Sequence, residues 1–244
     1  MSKDAITVKD LHISYRTLKG FSIKKSLLKM KMSKAEVFEA VRGVTFSVEK
    51  GKILGIIGKN GSGKSTMLRS IAGIFSPDSG TIDLHGNSVS LLSIGVGFQN
   101  KLTGYENIFL SGMLLGFSEK EIKERVDEII EFSELGKFIY KPVSSYSSGM
   151  YSKLAFSITA ILETDIMLID EVFSVGDVKF KQKSYNKMKE LISDENRTVV
   201  IVSHSLGTLK ELCNEVLWLH DGKIKQIGEP EKVIAAYEEF MKKD

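Results

Sequence analysis

One cysteine, Cys213, is all the chain contains, so an intrachain disulfide is excluded and nothing in it calls for an oxidising compartment. Long apolar runs are missing as well. The stretches "AFSITAIL" before Glu163 and "TVVIVS" before His204 fall well short of the ~18 residues that span a bilayer. The opening "MSKDAITVKD" lacks the apolar core of a secretory signal. A reducing, cytosolic setting is expected, with any work at a membrane done from the side. Charge of one sign is scarce too: the 244 residues sum to +3 at pH 7, so net charge gives no argument for nucleic acid, and what matters is where the positive charge sits. What is present is an ordinary globular composition, 42% hydrophobic, enough to bury a substantial core.

The chain begins as β and then turns α/β. "AITVKDLHISY" alternates as a strand does, "AVRGVTFSVEKG" reads as a half-buried strand, and "KILGIIG" as a buried one. "STMLRSIAGIF" has helical spacing and stops near Pro77, and "SGTIDLHGN" suits a short antiparallel element. From about residue 100 to 162 the character is helical. Thr103 with Glu106, and Ser118 with Glu121, have capping-box form, and Ile122, Val126, Ile129 and Ile130 line one face of a charged helix. The α/β pattern then resumes with "DIMLID", a polar helix near 178–193 and "TVVIVS", which implies a parallel sheet. A hairpin turning at Asp221-Gly222 and a final helix opened by Pro230 complete the chain.

"GIIGKNGSGKST" fits G-x-x-x-x-G-K-[ST] through Gly58, Gly63, Lys64 and Ser65, after a buried strand and at the start of a helix, the context that motif requires. The loop Gly58, Lys59, Asn60, Gly61, Ser62, Gly63 lets backbone N–H groups curve around oxyanions. Lys64 can reach β- and γ-phosphates, the Ser65 hydroxyl suits Mg²⁺, and Thr66 closes the ATP-binding run. The plain alternative is a Gly-rich turn with a capping serine. "IMLIDE" ends an apolar strand in two carboxylates: Asp170 to hold Mg²⁺, Glu171 to orient or deprotonate an attacking water. His204, beyond "TVVIVS", falls at a strand's carboxyl end, where it is either structural or a γ-phosphate contact. Gln99, taken alone, is a loop glutamine. Tyr15 is either an adenine-stacking ring or a core tyrosine. "SSYSSG" (144–149) is a serine-rich N-cap segment on its own terms, yet a hydroxyl and free N–H groups at a helix start also form an anion site.

Taken in order, these residues resemble the nucleotide-binding subunits of ABC transporters over nearly the whole chain. Tyr15 stands where that family has its adenine-stacking aromatic, and Gly58–Thr66 where it has Walker A. Gln99 falls at the Q-loop, where the family also uses it toward Mg²⁺, and Ile166–Glu171 at Walker B. Ser174–Asp177 occupies the D-loop and His204 the histidine switch. "YSSGM" replaces the usual L-S-G-G-Q signature, with Ser147 and Gly149 retained and Ser148 and Met150 departing from it; Gly176 replaces the D-loop leucine. The resemblance implies a P-loop α/β core with an antiparallel β subdomain and an inserted helical subdomain (about 100–162), the whole of 1–244 forming one domain. It implies ATP and Mg²⁺ as cofactors, with Lys64, Gln99, Glu171 and His204 catalytic. It also implies a head-to-tail homodimer in which Ser147, Ser148, Gly149 and Met150 serve the ATP held by the opposite chain.

"YSSGM", "SVGD" and the compact "SIGVGFQNKLTGYENI" look like the ATPases that export O-antigen, teichoic acid and capsule-type polysaccharides. Implied partners are two integral membrane permease subunits and a lipid-linked polysaccharide, with no nucleic acid and a peripheral place on the cytoplasmic face of the membrane. Residues 16–34, "RTLKGFSIKKSLLKMKMSK", carry seven basic and no acidic residues within an insert reaching to about 38. They read as a solvated insert or as a contact with anionic lipid, a pyrophosphate or the permease. Other ABC classes stay open: a soluble ATPase outside transport, an importer subunit, or a nucleotide-regulated binding module without turnover.

Overall fold

The computed structural model of the protein describes residues 3–17, 36–92, 97–170, 177–194 and 196–243. Two long strands, β1 (Asp4–Thr17) and β2 (Glu36–Glu49), pair antiparallel; β4 (Ser79–Asp83) joins the other edge of β1, giving the order β2-β1-β4. Both hairpin strands run further than the sequence suggests. Arg16 pairs with Val37 and Thr17 with Glu36, so the two ends of the basic insert belong to the sheet and its middle lies outside the described residues.

The second sheet has the order β5-β6-β7-β3-β8-β9. Its strands are β3 (Ile53–Ile57), β5 (Val89–Leu92), β6 (Ile166–Asp170), β7 (Thr198–Val202), β8 (Glu215–His220) and β9 (Lys223–Gly228). All neighbours are parallel except β8 and β9, whose turn at Asp221 (φ 46°) and Gly222 (φ 76°) supplies the two positive-φ positions of a tight hairpin. Register matters for function. Ile56 and Asp170 both pair with Val202, which sets the carboxyl ends of β3, β7 and β6 level at one edge of the sheet.

Helix α1 (Lys64–Ile71) follows β3 and buries Met67, Leu68 and Ile71 against one face of the sheet and the β1–β2 hairpin. α5 (Val178–Ile192), α6 (Leu206–Leu212) and α7 (Pro230–Lys243) cover the other face. Between β5 and β6 stands the helical lobe: α2 (Gly104–Leu114), α3 (Glu119–Ser133), two short 3₁₀ turns (Gly136–Tyr140 and Val143–Ser145) and α4 (Ser148–Ile161). Both expected capping boxes are formed, and Ile122, Val126 and Ile129 are buried, with Ile130 packed beside them. The lobe is moored by three aromatic rings, Phe132 of α3, Phe156 of α4 and Phe180 of α5, whose centroids lie 5.8–6.1 Å apart. α4 thus belongs to both cores.

Candidate nucleotide site

The level strand ends create a crevice of the kind in which open α/β sheets bind ligands. The loop between β3 and α1 curls over it, and two of its glycines are dictated by close approach. A Cβ on Gly58 (φ 155°) would fall on the Leu219 carbonyl oxygen, and one on Gly63 (φ 102°) on that of Ala40. Gly63 is also the N-cap of α1 and offers no side chain to its first turn, which leaves the helix N–H groups and the positive end of its dipole facing the loop.

Lys64 is only 6% exposed. Its Nζ donates to the carbonyl oxygens of Gly58 (2.8 Å) and Lys59 (3.1 Å), holding a cation inside the ring of backbone. A buried ammonium beside open N–H groups is a demand for an anion. Ser62 Oγ makes the same demand from the neutral side: it is buried and has no hydrogen-bond partner among the described residues, a state that costs about 1–3 kcal/mol unless a ligand relieves it. Ser65 Oγ donates to Asp170 Oδ1 at 3.1 Å, joining the loop to the end of β6. A hydroxyl and a carboxylate are hard oxygen donors that fit Mg²⁺. Among the described residues no group of three His, Cys, Asp or Glu could hold a metal ion.

Tyr15 is a surface residue, 36% exposed, and not part of the core. Its hydroxyl lies 3.0 Å from Thr66 Oγ1 and its ring meets Phe75 edge-on at 6.2 Å, which puts an open aromatic face next to the phosphate loop. Exposed His204 follows β7 at the level edge. Gln99 is exposed, and its backbone is clamped from both sides by Asn107: Gln99 N–H donates to Asn107 Oδ1 (2.7 Å) and Asn107 Nδ2 donates to Gln99 O (3.1 Å). Glu171 and Ser174–Gly176 lie outside the described residues.

Residues 147–150 stand at the start of α4, in the helical lobe. Ser147 caps α4, its Oγ accepting from Met150 N–H at 3.2 Å, and Ser147 and Ser148 are exposed. Among the described residues Gly149 has no steric reason to be glycine: the nearest atom an added Cβ would meet is Ser147 Oγ at 3.8 Å. Asp177 caps α5 through Phe180 N–H (3.0 Å) and accepts from Lys153 Nζ of α4 at 2.6 Å. The bond from Lys153, together with that cap, holds its carboxyl down to about 2.

Sequence reasoning passes over three of these participants. Asn107 is fully buried in the apolar run of α2, and a lone amide on a buried helix face is the signal that marks it. Lys153 is indistinguishable in sequence from a surface lysine, although its side chain is 13% exposed. Tyr146 looks like a loop residue until its hydroxyl is seen to reach Phe138 O.

Fold and loop together define a P-loop nucleotide-binding protein. A family model described as ABC transporter matches residues 41–174, and the chain belongs to that family. It is 42% identical over 249 residues to the O-antigen export system ATP-binding protein RfbB of Myxococcus xanthus, a match covering 98% of this chain and 57% of that relative. It is 44% identical to the teichoic acids export ATP-binding protein TagH of Bacillus anthracis, covering 85% of this chain and 38% of that one. The chain therefore spans about half the length, or less, of these two relatives. Among solved structures, a dimeric, post-hydrolysis ATP-binding cassette bound to ADP and phosphate aligns with a TM-score of 0.69 at 21% identity, covering 92% of this chain and 98% of that one.

Proposed function

We propose that the protein is the ATP-hydrolysing subunit of an exporter that moves a lipid-linked polysaccharide of the O-antigen or teichoic acid kind through separate membrane permease subunits. The observation that carries this reading is the buried Lys64 set in a glycine-built ring beside the Ser65–Asp170 pair; the export systems named for its relatives supply the substrate class. Residues 1–244 act as one nucleotide-binding unit. The adenine stacks on Tyr15, the loop N–H groups and Lys64 take the β- and γ-phosphates, and His204 and Gln99 face the γ-phosphate. Ser65 and Asp170, with Gln99, would hold Mg²⁺, which would neutralise phosphate charge when bound. Glu171 orients and deprotonates a water whose oxygen bonds to the γ-phosphorus as the bridging oxygen leaves with ADP.

The second half of each site comes from another copy. Exposed Ser147, with the N–H groups that open α4, is an anion site, and Gly149 leaves room there that its own chain does not need. Two chains packed head to tail would close two ATP molecules between them. In this reading the subunit works from the cytoplasmic face, docked on its permease, as the export systems named for its relatives suggest; among the described residues no helix is long and apolar enough to cross a membrane.

Glu171→Gln tests the chemistry. Turnover should fall by about 10²–10⁴ while ATP binding is spared, and the variant should form an ATP-dependent dimer on a sizing column. Wild-type phosphate release from Glu171→Gln, or a monomer at saturating ATP, refutes the reading.

A further inference from the structure

The loop that presents Gln99 and the loop that presents Ser147 are one piece of backbone structure. Ser144 N–H donates to Asn100 O and Val143 N–H to Leu102 O, each at 2.9 Å; Gly104 N–H donates to Lys141 O at 3.2 Å; Thr103 and Pro142 form an antiparallel bridge between them. This short ladder is sealed at both ends by side chains. At one end Asn107, buried and off the sheet, bonds Gln99 N–H and Gln99 O and donates to Thr103 O at 2.8 Å. At the other end Tyr146, the residue before Ser147, packs its ring on the helical core and donates its hydroxyl to Phe138 O at 2.9 Å.

The fit at Tyr146 is specific to a phenol. A Cβ on Gly104, the first residue of α2, would land on the Tyr146 hydroxyl, so glycine at 104 and tyrosine at 146 are matched. Burial pushes the phenol above its ordinary pKa, which keeps it a donor. The family pattern has leucine at this place, and leucine could not make the bond; an added Cβ at 104 would also lie 3.0–3.1 Å from Ile139, but its closest contact is the Tyr146 hydroxyl.

We propose that Asn107 and Tyr146 are positioning residues that lock the Gln99 loop and the Ser147 loop into a single strut. The state of Gln99 at one nucleotide thereby sets how Ser147 is presented to the other. This rests on the two-chain reading above. Neither residue touches nucleotide; both act through the loops they hold. Cutting the strut leaves the phosphate loop of the same chain intact and misplaces Ser147 toward its partner. Misplacement on the scale of 1 Å is enough to lower turnover by up to about 10²-fold.

The test uses the full chain in the Glu171→Gln background, where ATP-driven dimerisation can be titrated without hydrolysis. Tyr146→Phe keeps the ring and removes only the hydroxyl. The expected result is a rise of about 10-fold in the ATP concentration at which half the chains dimerise, against unchanged affinity of the monomer for a fluorescent ATP analogue. With Glu171 restored, kcat falls by about 10- to 100-fold without a matching change in KM. Gly104→Ala should impair dimerisation more than Tyr146→Phe does, and the double variant should recover part of the Gly104→Ala defect, a coupling that independent sites would not show. Asn107→Leu should reproduce the Tyr146→Phe pattern.

Unchanged dimerisation and turnover in Tyr146→Phe overturn the strut. So does a parallel loss of ATP binding, dimerisation and thermal stability, which would make the bond a fold contact only. A Glu171→Gln chain that stays monomeric with ATP removes the two-chain reading first, and the strut with it, so the two failures are told apart by the parent variant.

Discussion

Gly149 shows how a residue can be explained by what is missing around it. At Gly58 and Gly63 the chain's own carbonyls exclude a Cβ, and glycine there is a folding requirement. At Gly149 the space is open and the backbone is helical, where alanine is the better former by roughly 0.5–1 kcal/mol in a helix interior and less near its start. We therefore expect Gly149→Ala to leave the thermal midpoint unchanged or slightly raised while ATP turnover falls at least 10-fold, because in the proposed dimer the added methyl would intrude on nucleotide held by the other chain. A clear loss of stability, or full turnover, would contradict this. The phosphate loop was legible in sequence because its spacing is a covalent pattern. Asn107, Tyr146 and Lys153 were not, since each acquires its role only from residues that folding brings to it, such as Phe138 O for Tyr146 and Asp177 for Lys153.

Helices announced themselves where capping boxes and apolar periodicity agreed, as in α2 and α3. β5 did not: Val89–Leu92 is only four residues long, and a short apolar run has no period to read. α6, with seven residues and a single buried side chain, Leu209, is equally faint. Between elements, α4 is tied to α5 by an ionic contact as well as by the Phe156–Phe180 ring pair. Lys153 bonds Asp177 and also lies 3.8 Å from Glu134, while Lys183 reaches Glu134 at 3.3 Å. Since the Asp177 carboxyl is lowered from 3.8 to about 2, its stabilisation is complete above the higher value and is lost as pH falls through the lower one. Asp177→Asn keeps an N-cap but discards this dependence. Thermal midpoints of wild type should decline more steeply than those of Asp177→Asn between pH 3.8 and about 2; parallel declines would show that the pair contributes nothing.

For the molecule as a whole, the basic stretch 16–34 is the strongest concentration of one charge in the sequence; of it, Arg16 and Thr17 pair with Val37 and Glu36 in the antiparallel sheet. If it meets anionic headgroups, each lysine near the surface contributes about 1 kcal/mol. Replacing Lys24, Lys25, Lys29 and Lys31 by glutamine should weaken sedimentation with phosphatidylserine vesicles by at least 10-fold at low salt; equal sedimentation would leave the stretch a solvated insert.

The ring triangle of Phe132, Phe156 and Phe180 has a mechanical corollary. It pins α4 near its middle to the main body, with Ser147 nine residues away at the start of the helix, a lever of about 13 Å at 1.5 Å per residue. Tilting such a rod by about 10° swings its tip roughly 2 Å, the difference between a hydrogen bond and none. In the proposed dimer, a motion this small would be enough to engage or release the nucleotide held by the partner.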